Sequence, residues 1–236
     1  MKWQQMNSKI SVLIPAAGHG SRMNLSVKKP YLMLGDKPIL SHTIERFEQH
    51  TVIDEIFVIV DESDFQMCHD KVIEPFRYRK VGGLVKGGKT RQESVFNGLK
   101  ALSDDVDFVV IHDGVRPFID DDIIFKCLEA TEEFGAAISA VPVKETIKVA
   151  DPHLFIEHTP QRDRLWRVQT PQVFRKSILF EAHQNAIQNE INAPDDAALV
   201  EELGLSVKLV MGSYQNLKLT TQEDLQFAET LLNAKI

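Results

Sequence analysis

Short apolar runs rich in β-branched residues alternate with amphipathic stretches along most of this 236-residue chain. Runs that are apolar on both sides are typical of strands covered by helices on both faces of a sheet. These runs occupy residues 11–14, 56–60, 108–111 and 136–141. Apolar side chains recur at helical spacing in the stretches 39–47, 91–102 and 120–134. Alternating strands and helices predict an α/β fold with a Rossmann-like doubly wound, mostly parallel sheet.

The alternation breaks between residues 142 and about 169, where apolar positions alternate briefly and prolines and charges then follow without a helical period. We predict that this segment is a β-arm protruding from a single domain that spans residues 1–236. A helical pattern resumes at 176–187 and 195–203, and a strand is predicted at 207–210. A closing helix is predicted at 221–232, with Thr221 as its N-cap and Asp224 at the capping-box position.

Composition narrows the possible partners. The chain has 27 basic and 34 acidic residues, a formal net charge of −7, which argues against nucleic-acid or membrane-surface binding. An anionic substrate would therefore have to meet a local basic cluster. Cys68 and Cys127 lack metal-binding spacing, and the apolar run near the N-terminus is too short for a membrane span. We expect reduced thiols and a cytoplasmic protein.

A glycine-containing loop follows the first predicted strand, with the sequence PAAGHGSRM at residues 15–23. Small residues at the carboxyl end of a strand let backbone N–H groups approach a phosphate. The loop is not a Walker A sequence, and Met23 stands where a dinucleotide fingerprint has its third glycine. Taken alone, the segment is better explained as a plain tight turn. The nearby charges of Arg22, Lys28 and Lys29 favour a phosphate site, although a solvated basic loop is the alternative.

Two further segments can reach the same edge of the sheet. The sequence GGKTRQES at 87–94 precedes a predicted helix, where Ser94 could hydrogen-bond a base or sugar, although a plain helix entry is the simpler reading. The strand at 108–111 ends in His112 and Asp113, which places an acid where open α/β sheets bind ligands. Asp113 is a candidate contact to a metal–nucleotide complex. His112 could equally be a near-core histidine, and Arg116 could brace the loop.

Seven motifs in order over nearly the whole chain carry a resemblance to a known family. They are AAGxGxRM at 16–23, a lysine before Tyr31, GGxxRxxSV at 87–95, HDGxRP at 112–117, PVKxTIK at 142–148, LWxxQTPQxF at 165–174 and GSYxNxKLTTxEDL at 212–225. Together they resemble the methylerythritol phosphate cytidylyltransferase family. The resemblance implies a Rossmann-like fold, a homodimer formed through a protruding arm, and Mg²⁺-dependent transfer of CMP from CTP to a small polyol phosphate.

The resemblance also implies roles for individual residues. Arg22 and Lys29 match the pair that stabilises the pentacoordinate α-phosphate. Arg162 and Lys218 match residues that position the methylerythritol phosphate, and Thr146 lies in the arm beside that substrate. Asp113 is a nucleotide contact and the candidate metal ligand. The remaining residues that fall where the family binds CTP are Ala16, Ala17, Gly18, Gly20, Gly88 and Ser94.

The sequence departs from the family pattern in two places. Lys28-Lys29-Pro30 replaces the usual Pro-Lys-Gln, and we assign Lys29 to the phosphates by its distance from Tyr31; Lys28 is the alternative. Ala193-Pro194-Asp195-Asp196 replaces the commoner Thr-Asp-Asp/Glu. Three other functions remain open: a ribitol 5-phosphate cytidylyltransferase, an NAD-dependent oxidoreductase with a similar fold, and a non-catalytic nucleotide-binding module.

Overall fold

The structure is a computed structural model and describes residues 8–18 and 28–234. The strands of this part of the chain are β1 (Lys9–Pro15), β2 (Met33–Leu34), β3 (Lys37–Pro38), β4 (Glu55–Val60), β5 (Val81–Lys86), β6 (Val106–Ile111), β7 (Ala136–Pro142), β8 (Val149–Ala150), β9 (Ile156–His158), β10 (Trp166–Arg175) and β11 (Lys208–Met211). The α-helices are α1 (Ile39–Glu48), α2 (Phe65–Cys68), α3 (Arg91–Ala101), α4 (Asp121–Phe134), α5 (Lys176–Gln188), α6 (Asp196–Glu201) and α7 (Gln222–Ala234).

A seven-stranded sheet forms the centre of the molecule, in the order β11-β7-β10-β6-β1-β4-β5. All neighbouring pairs are parallel except those of β10, which runs antiparallel between β6 and β7. The expectation of a mostly parallel, doubly wound α/β sheet is therefore confirmed. The predicted strands lie within β1, β4, β6 and β7, and the predicted strand at 207–210 overlaps β11.

Two strands of the seven-stranded sheet, β5 at its edge and β10 in its interior, were not predicted. In β5, Gly82 and Gly83 lower strand propensity, but a side chain at Gly82 would come within 3.2 Å of the Phe57 ring, so Gly82 leaves room for that ring to pack. The ladder between β10 and β7 shifts register between Val168 and Gln172, around the cis bond between Thr170 and Pro171. This strand begins inside the segment 142–169 predicted as an arm, so only the part before Trp166 lies outside the sheet.

Side chains alternate between two apolar layers, one on each face of the sheet. Val12 and Val110 point into the layer with Ile44 and Phe47 of α1, and α4 adds Leu128 to it. Their neighbours in the strands, Leu13 and Val109, lie in the other layer, whose helical residues include Val95, Leu99, Leu179 and Leu199. Helices therefore cover both faces, as the apolar strands predicted.

The last helix begins as the sequence predicted. Thr221 Oγ1 accepts a hydrogen bond from the Asp224 N–H at 3.2 Å, and Asp224 Oδ2 accepts from the Thr221 N–H at 2.9 Å. These bonds form a capping box at the start of α7. Asp224 also accepts from both the N–H and the hydroxyl of Thr220, at 2.8 and 3.0 Å, which fixes the segment before the helix.

The arm carries its own two-stranded antiparallel sheet, made by β8 and β9. Its tip exposes three apolar side chains: Leu154 is 86% exposed, Phe155 73% and Ile156 63%. Cys68 and Cys127 are buried free thiols, as predicted. Among the described residues, no helix combines the length and apolar composition that a membrane crossing requires.

Candidate active site

A cavity of about 400 Å³ lies at the carboxyl ends of β1 and β6, the edge at which open α/β sheets bind ligands. It brings together eight of the residues that the sequence singled out, from segments far apart in the chain. These are Ala16, Ala17, Gly18, Lys29, Gly88, Ser94, Asp113 and Lys218. The remaining lining residues are Pro15, Pro30, Lys89, Thr90, Arg91, Val115, Leu219 and Thr220.

Four predicted site residues are not among the described residues that line this cavity. Gly20 and Arg22 fall outside the described residues. Thr146 and Arg162 are exposed residues of the arm and do not line the cavity of their own chain. Arg162 instead donates a hydrogen bond from Nη1 to the backbone oxygen of Lys144 at 3.1 Å, which ties the two limbs of the arm together.

Backbone hydrogen bonds fix the end of β1 and the first residue of the loop that follows it. The Ala16 N–H donates to the Ile59 oxygen at 2.7 Å, and the Gly114 N–H donates to the Pro15 oxygen at 3.2 Å. A side chain at Gly87 would come within 2.6 Å of the Ala17 Cβ, so this glycine allows the two loops to meet. The small residues predicted to admit a phosphate therefore also bring the walls of the cavity together.

The second loop is folded by its own polar side chains. Thr90 caps α3, because its Oγ1 accepts the Glu93 N–H at 3.0 Å. The Ser94 hydroxyl accepts the Gly88 N–H at 2.9 Å and donates to the Thr90 oxygen at 2.8 Å. Ser94 faces the cavity but also closes the loop, so its hydroxyl shapes the site in addition to any contact with the nucleotide.

The two adjacent lysines point to different places. Lys28 Nζ lies 2.5 Å from Asp61 Oδ2 and 2.7 Å from Asp64 Oδ2. Burial lowers the pKa of Lys28, but the hydrogen bonds from these two carboxylates raise it above its ordinary value. Lys29 Nζ donates to the Thr220 oxygen at 2.7 Å and lines the cavity. Of the pair, Lys29 is the lysine placed to meet a ligand.

Asp113 lies at the centre of a cationic cluster. Its Oδ2 is 3.0 Å from Lys218 Nζ and 3.1 Å from Arg116 Nε, and its Oδ1 is 3.9 Å from Arg91 Nε. Burial raises the pKa of the Asp113 carboxyl, but the charges of Lys218, Arg116 and Arg91 outweigh it and hold the pKa well below its usual range. Asp113 is therefore an anion at every pH at which the protein is expected to work.

His112 is part of a buried hydrogen-bond chain. Its Nε2 lies 3.0 Å from the Arg116 backbone oxygen, which can only accept, so Nε2 carries the proton. Its Nδ1 then accepts from the Thr170 hydroxyl at 3.1 Å, and that hydroxyl accepts the Asp113 N–H at 3.1 Å. Burial lowers the pKa of His112 to about 4. The neutral ring thus supports the loop that carries Asp113, which favours the near-core interpretation.

The sequence did not lead us to Arg91, which lines the cavity, or to Asp196, which pairs with it. Arg91 lines the cavity, and its Nη1 lies 2.7 Å from Oδ2 of the fully buried Asp196. Burial raises the pKa of Asp196, but Arg91 and His183 lower it below its ordinary value. One signal was present in the sequence: Arg91 is the first residue of α3, where the helix dipole disfavours a cation. A cation at that position implies an anion nearby.

The donor set of the cavity fits a metal ion that arrives with a nucleotide. Among residues 8–18 and 28–234, no group of three or more histidine, cysteine or acidic side chains is arranged to hold a metal by itself. Mg²⁺ commonly uses one or two carboxylates together with substrate phosphates and water. Asp113 could supply one such carboxylate, and within the described part of the chain its Oδ1 has only the distant Arg91 Nε, at 3.9 Å, as an ion-pair partner.

Comparisons with known proteins agree over nearly the whole chain. A profile of the family described as 2-C-methyl-D-erythritol 4-phosphate cytidylyltransferase matches residues 10–234. A protein of that name from Syntrophotalea carbinolica is 49% identical over 225 residues, covering 95% of this chain and 96% of its own. Another, from Alkaliphilus oremlandii, is 45% identical over 228 residues, covering 97% of each chain.

Solved structures show the same likeness. The crystal structure of 4-diphosphocytidyl-2C-methyl-D-erythritol synthase from Anaerococcus prevotii superposes with a TM-score of 0.85 at 33% identity, covering 96% of each chain. The structure of 2-C-methyl-D-erythritol 4-phosphate cytidylyltransferase from Thermus thermophilus has a TM-score of 0.77 at 33% identity, covering 95% of this chain and 99% of its own. The similarity therefore extends across the sheet, the arm and the segments that line the cavity.

Proposed function

The chain belongs to the 2-C-methyl-D-erythritol 4-phosphate cytidylyltransferase family, and we propose that the cavity at the ends of β1 and β6 is where it carries out the family's reaction. It is a CTP-dependent nucleotidyltransferase that transfers CMP to 2-C-methyl-D-erythritol 4-phosphate in isoprenoid biosynthesis. The products are 4-diphosphocytidyl-2-C-methyl-D-erythritol and pyrophosphate. One observation supports this proposal: Lys29, Lys218 and Asp113 line a single cavity together with residues 16–18 of the loop predicted to bind phosphate.

The reaction needs positioned charge more than a protein base. An oxygen of the substrate's phosphate attacks the α-phosphorus of CTP, and the bond from that phosphorus to the β-phosphate oxygen breaks, releasing pyrophosphate. A phosphate monoester has a second pKa of about 6, so the nucleophile is largely dianionic at neutral pH. His112 is buried and hydrogen-bonded at both ring nitrogens, so it has no role as a base.

The cations of the cavity have distinct places in this scheme. Lys29, beside the loop at residues 16–18, is placed to stabilise charge on the α-phosphate as the fifth oxygen joins. Lys218, held 3.0 Å from Asp113, is the cation that we assign to the attacking phosphate. Because Asp113 fixes Lys218 and Arg116 through one oxygen, it orders the cations as well as balancing their charge.

We propose Mg²⁺ as the cofactor, held by Asp113 together with the phosphates of CTP. When bound, the ion would neutralise phosphate charge and orient the leaving pyrophosphate. The chain's own contribution is to keep the Asp113 carboxylate ionised, since the neighbouring cations hold its pKa far below neutrality.

Incubating the protein with methylerythritol phosphate and each of the four nucleoside triphosphates tests the function. We expect pyrophosphate release with CTP to exceed that with ATP or GTP. The loops at 16–18 and 87–94 approach each other closely at Ala17 and Gly87, and we propose that their backbone groups bind the small cytosine edge, where a purine would clash. Ribitol 5-phosphate serves as the control acceptor and should react poorly. Equal turnover with ATP or GTP would contradict the proposed base selection.

We propose that the arm exchanges between two subunits of a cytoplasmic homodimer. Three apolar side chains at its tip are largely exposed in the single chain, a patch that a partner could cover. Arg162 and Thr146 lie in the arm, away from the cavity of their own chain, so an exchanged arm could bring them to the partner's cavity. This arrangement would explain why two residues predicted to position the polyol do not line the cavity of their own chain.

Mixing two inactive variants tests the exchange. A hybrid dimer of Lys29→Ala and Arg162→Ala subunits contains one cavity with both residues intact if the arm crosses, and none if it does not. We expect unmixed samples to be nearly inactive and an equal, re-equilibrated mixture to recover roughly a quarter of wild-type activity, since half of the dimers are hybrids with one intact site. A fully active monomer in sedimentation, or no recovery despite hybrid formation, would contradict the proposal.

A further inference from the structure

We propose that Asp196, buried beneath the cavity, is a positioning residue that holds the Arg91 side chain in place for CTP binding. This inference rests on the proposed role of the cavity as the CTP site. It assigns to the start of α6 a part in nucleotide binding, although Asp196 itself does not line the cavity.

The geometry places the Arg91 guanidinium between two carboxylates. On the buried side, Nη1 lies 2.7 Å from Asp196 Oδ2. On the cavity side, Nε lies 3.9 Å from Asp113 Oδ1, too far for a hydrogen bond. Arg91 retains 30% side-chain exposure and lines the cavity between the Gly88 loop and Asp113. The short contact to Asp196 therefore determines which way the guanidinium faces.

Asp196 is itself fixed by three helices. It is the first residue of α6, and its Oδ1 lies 3.2 Å from Nε2 of His183 in α5. The His183 ring stacks on Phe96 of α3 with a centroid separation of 5.5 Å and an angle of 9°. Each carboxylate oxygen thus has its own partner, and the packing of α3, α5 and α6 sets the position of Arg91.

A buried ion pair of this kind is weak evidence for stability, because taking two charges out of water offsets much of their attraction. The effect that we assign to this pair is on the orientation of the Arg91 guanidinium. Without the Asp196 charge, the nearest anion to Arg91 is Asp113, and arginine readily forms two parallel hydrogen bonds with a carboxylate. Closing on Asp113 would occupy Oδ1 and turn the guanidinium away from its place in the cavity wall. Both changes weaken the binding of a Mg²⁺–CTP complex.

Isothermal titration calorimetry of the full-length protein with CTP and Mg²⁺ tests the inference without requiring turnover. We expect Asp196→Asn to raise the Kd for CTP about tenfold, the size typical of coupled neighbouring groups, while the KM for methylerythritol phosphate changes less than about twofold. A general structural defect would raise both constants together. Circular dichroism and thermal unfolding check the fold.

The matched control is Asp195→Asn, which makes the same charge change one residue earlier. Asp195 caps α6 by accepting the Ala198 N–H at 3.0 Å and also accepts from Gln172 Nε2 at 2.8 Å. Asparagine caps helices about as well as aspartate, so we expect the Kd for CTP to stay within about twofold. An equal loss in both variants would show that net charge, and not contact with Arg91, matters.

A double-mutant cycle decides whether Asp196 acts through Arg91. In an Arg91→Met background, we expect Asp196→Asn to change the Kd for CTP less than about twofold. A persistent tenfold loss in that background, or wild-type affinity in Asp196→Asn alone, would overturn the inference. If wild-type protein itself failed to bind CTP, the proposed site would be wrong instead.

A second pair of variants covers the case in which Asp196→Asn does not fold. His183→Gln keeps a donor for Asp196, whereas His183→Leu removes it and retains an apolar side chain. We expect CTP binding to be weaker in His183→Leu than in His183→Gln by several-fold, since second-layer contacts of this kind commonly tune affinity. Equal affinity in the two folded variants would contradict the positioning role.

Discussion

Lys29→Ala is expected to lower kcat by about 10²–10³-fold with a much smaller effect on the Kd for CTP, as losing a group that acts on the transition state commonly does. The α-phosphate gains a fifth oxygen ligand and concentrates negative charge during the reaction. A cation facing that phosphate therefore interacts more strongly with the transition state than with bound CTP. Steady-state kinetics for kcat and calorimetry for CTP binding separate the two effects.

Thr220 fixes the position of the Lys29 side chain in the structure. Its backbone oxygen accepts from Lys29 Nζ at 2.7 Å, and Asp224 holds Thr220 through its N–H and hydroxyl. The lysine is thus directed to the cavity by a segment that is itself fixed at the start of α7.

Lys28→Ala is the matched control, since it removes the same charge one residue earlier in the chain. Lys28 pairs with Asp61 and Asp64, and Asp64 is buried. Leaving these carboxylates without their cation should lower the free energy of unfolding by about 1–3 kcal/mol, while kcat stays within about threefold. Near-normal kcat in Lys29→Ala, together with a large loss in Lys28→Ala, would exchange the two assignments.

Asp113→Asn is expected to lower kcat/KM by about 10²-fold or more. Charges that are displaced from the reacting phosphates stabilise the transition state less well. The substitution removes the carboxylate that Lys218 and Arg116 share and leaves those cations to repel each other. It also removes the proposed oxygen ligand of the metal. We expect the Mg²⁺ concentration needed for half-maximal activity to rise in the same variant.

The effect of Asp113→Asn should not depend on pH near neutrality. The folded-state pKa of Asp113 is depressed, so its charge contributes above the unfolded pKa and is lost only as pH falls through the folded value. Asp122→Asn serves as the control, since Asp122 pairs with Lys126 on the exposed face of α4. A kcat/KM for Asp113→Asn within threefold of the wild type, with unchanged Mg²⁺ dependence, would contradict its assignment.

Periodicity revealed β1, β4, β6 and β7 because these strands are largely apolar and buried on both faces of the sheet. The same reasoning missed β10, in which a register shift and a cis proline interrupt the ladder. It missed β5 because Gly82 lowers strand propensity, and its role is to leave space for Phe57, a residue of another strand. Strands defined by their neighbours cannot be recognised from their own composition.

The residues of the site also differ in whether the local sequence predicts them. Asp113 could be predicted because it lies just beyond the end of the buried strand β6, after His112, and the edge of the sheet then determines its surroundings. The pairing of Arg91 with Asp196 could not, because those residues are 105 positions apart and meet only through the packing of helices. The motifs did place Lys29 and Lys218 in one site, since the family resemblance supplies tertiary information that local patterns lack.

A crystal structure of the protein with CTP and Mg²⁺ tests the central claim most directly, namely that this cavity is the site of CMP transfer. We predict the triphosphate against the loop at 16–18, with Lys29 Nζ within hydrogen-bonding distance of a phosphate oxygen and the metal bound to Asp113. Arg91 should keep its contact with Asp196 in that complex. CTP bound outside the cavity, or bound there with Lys29 and Asp113 both remote from its phosphates and metal, would contradict the account.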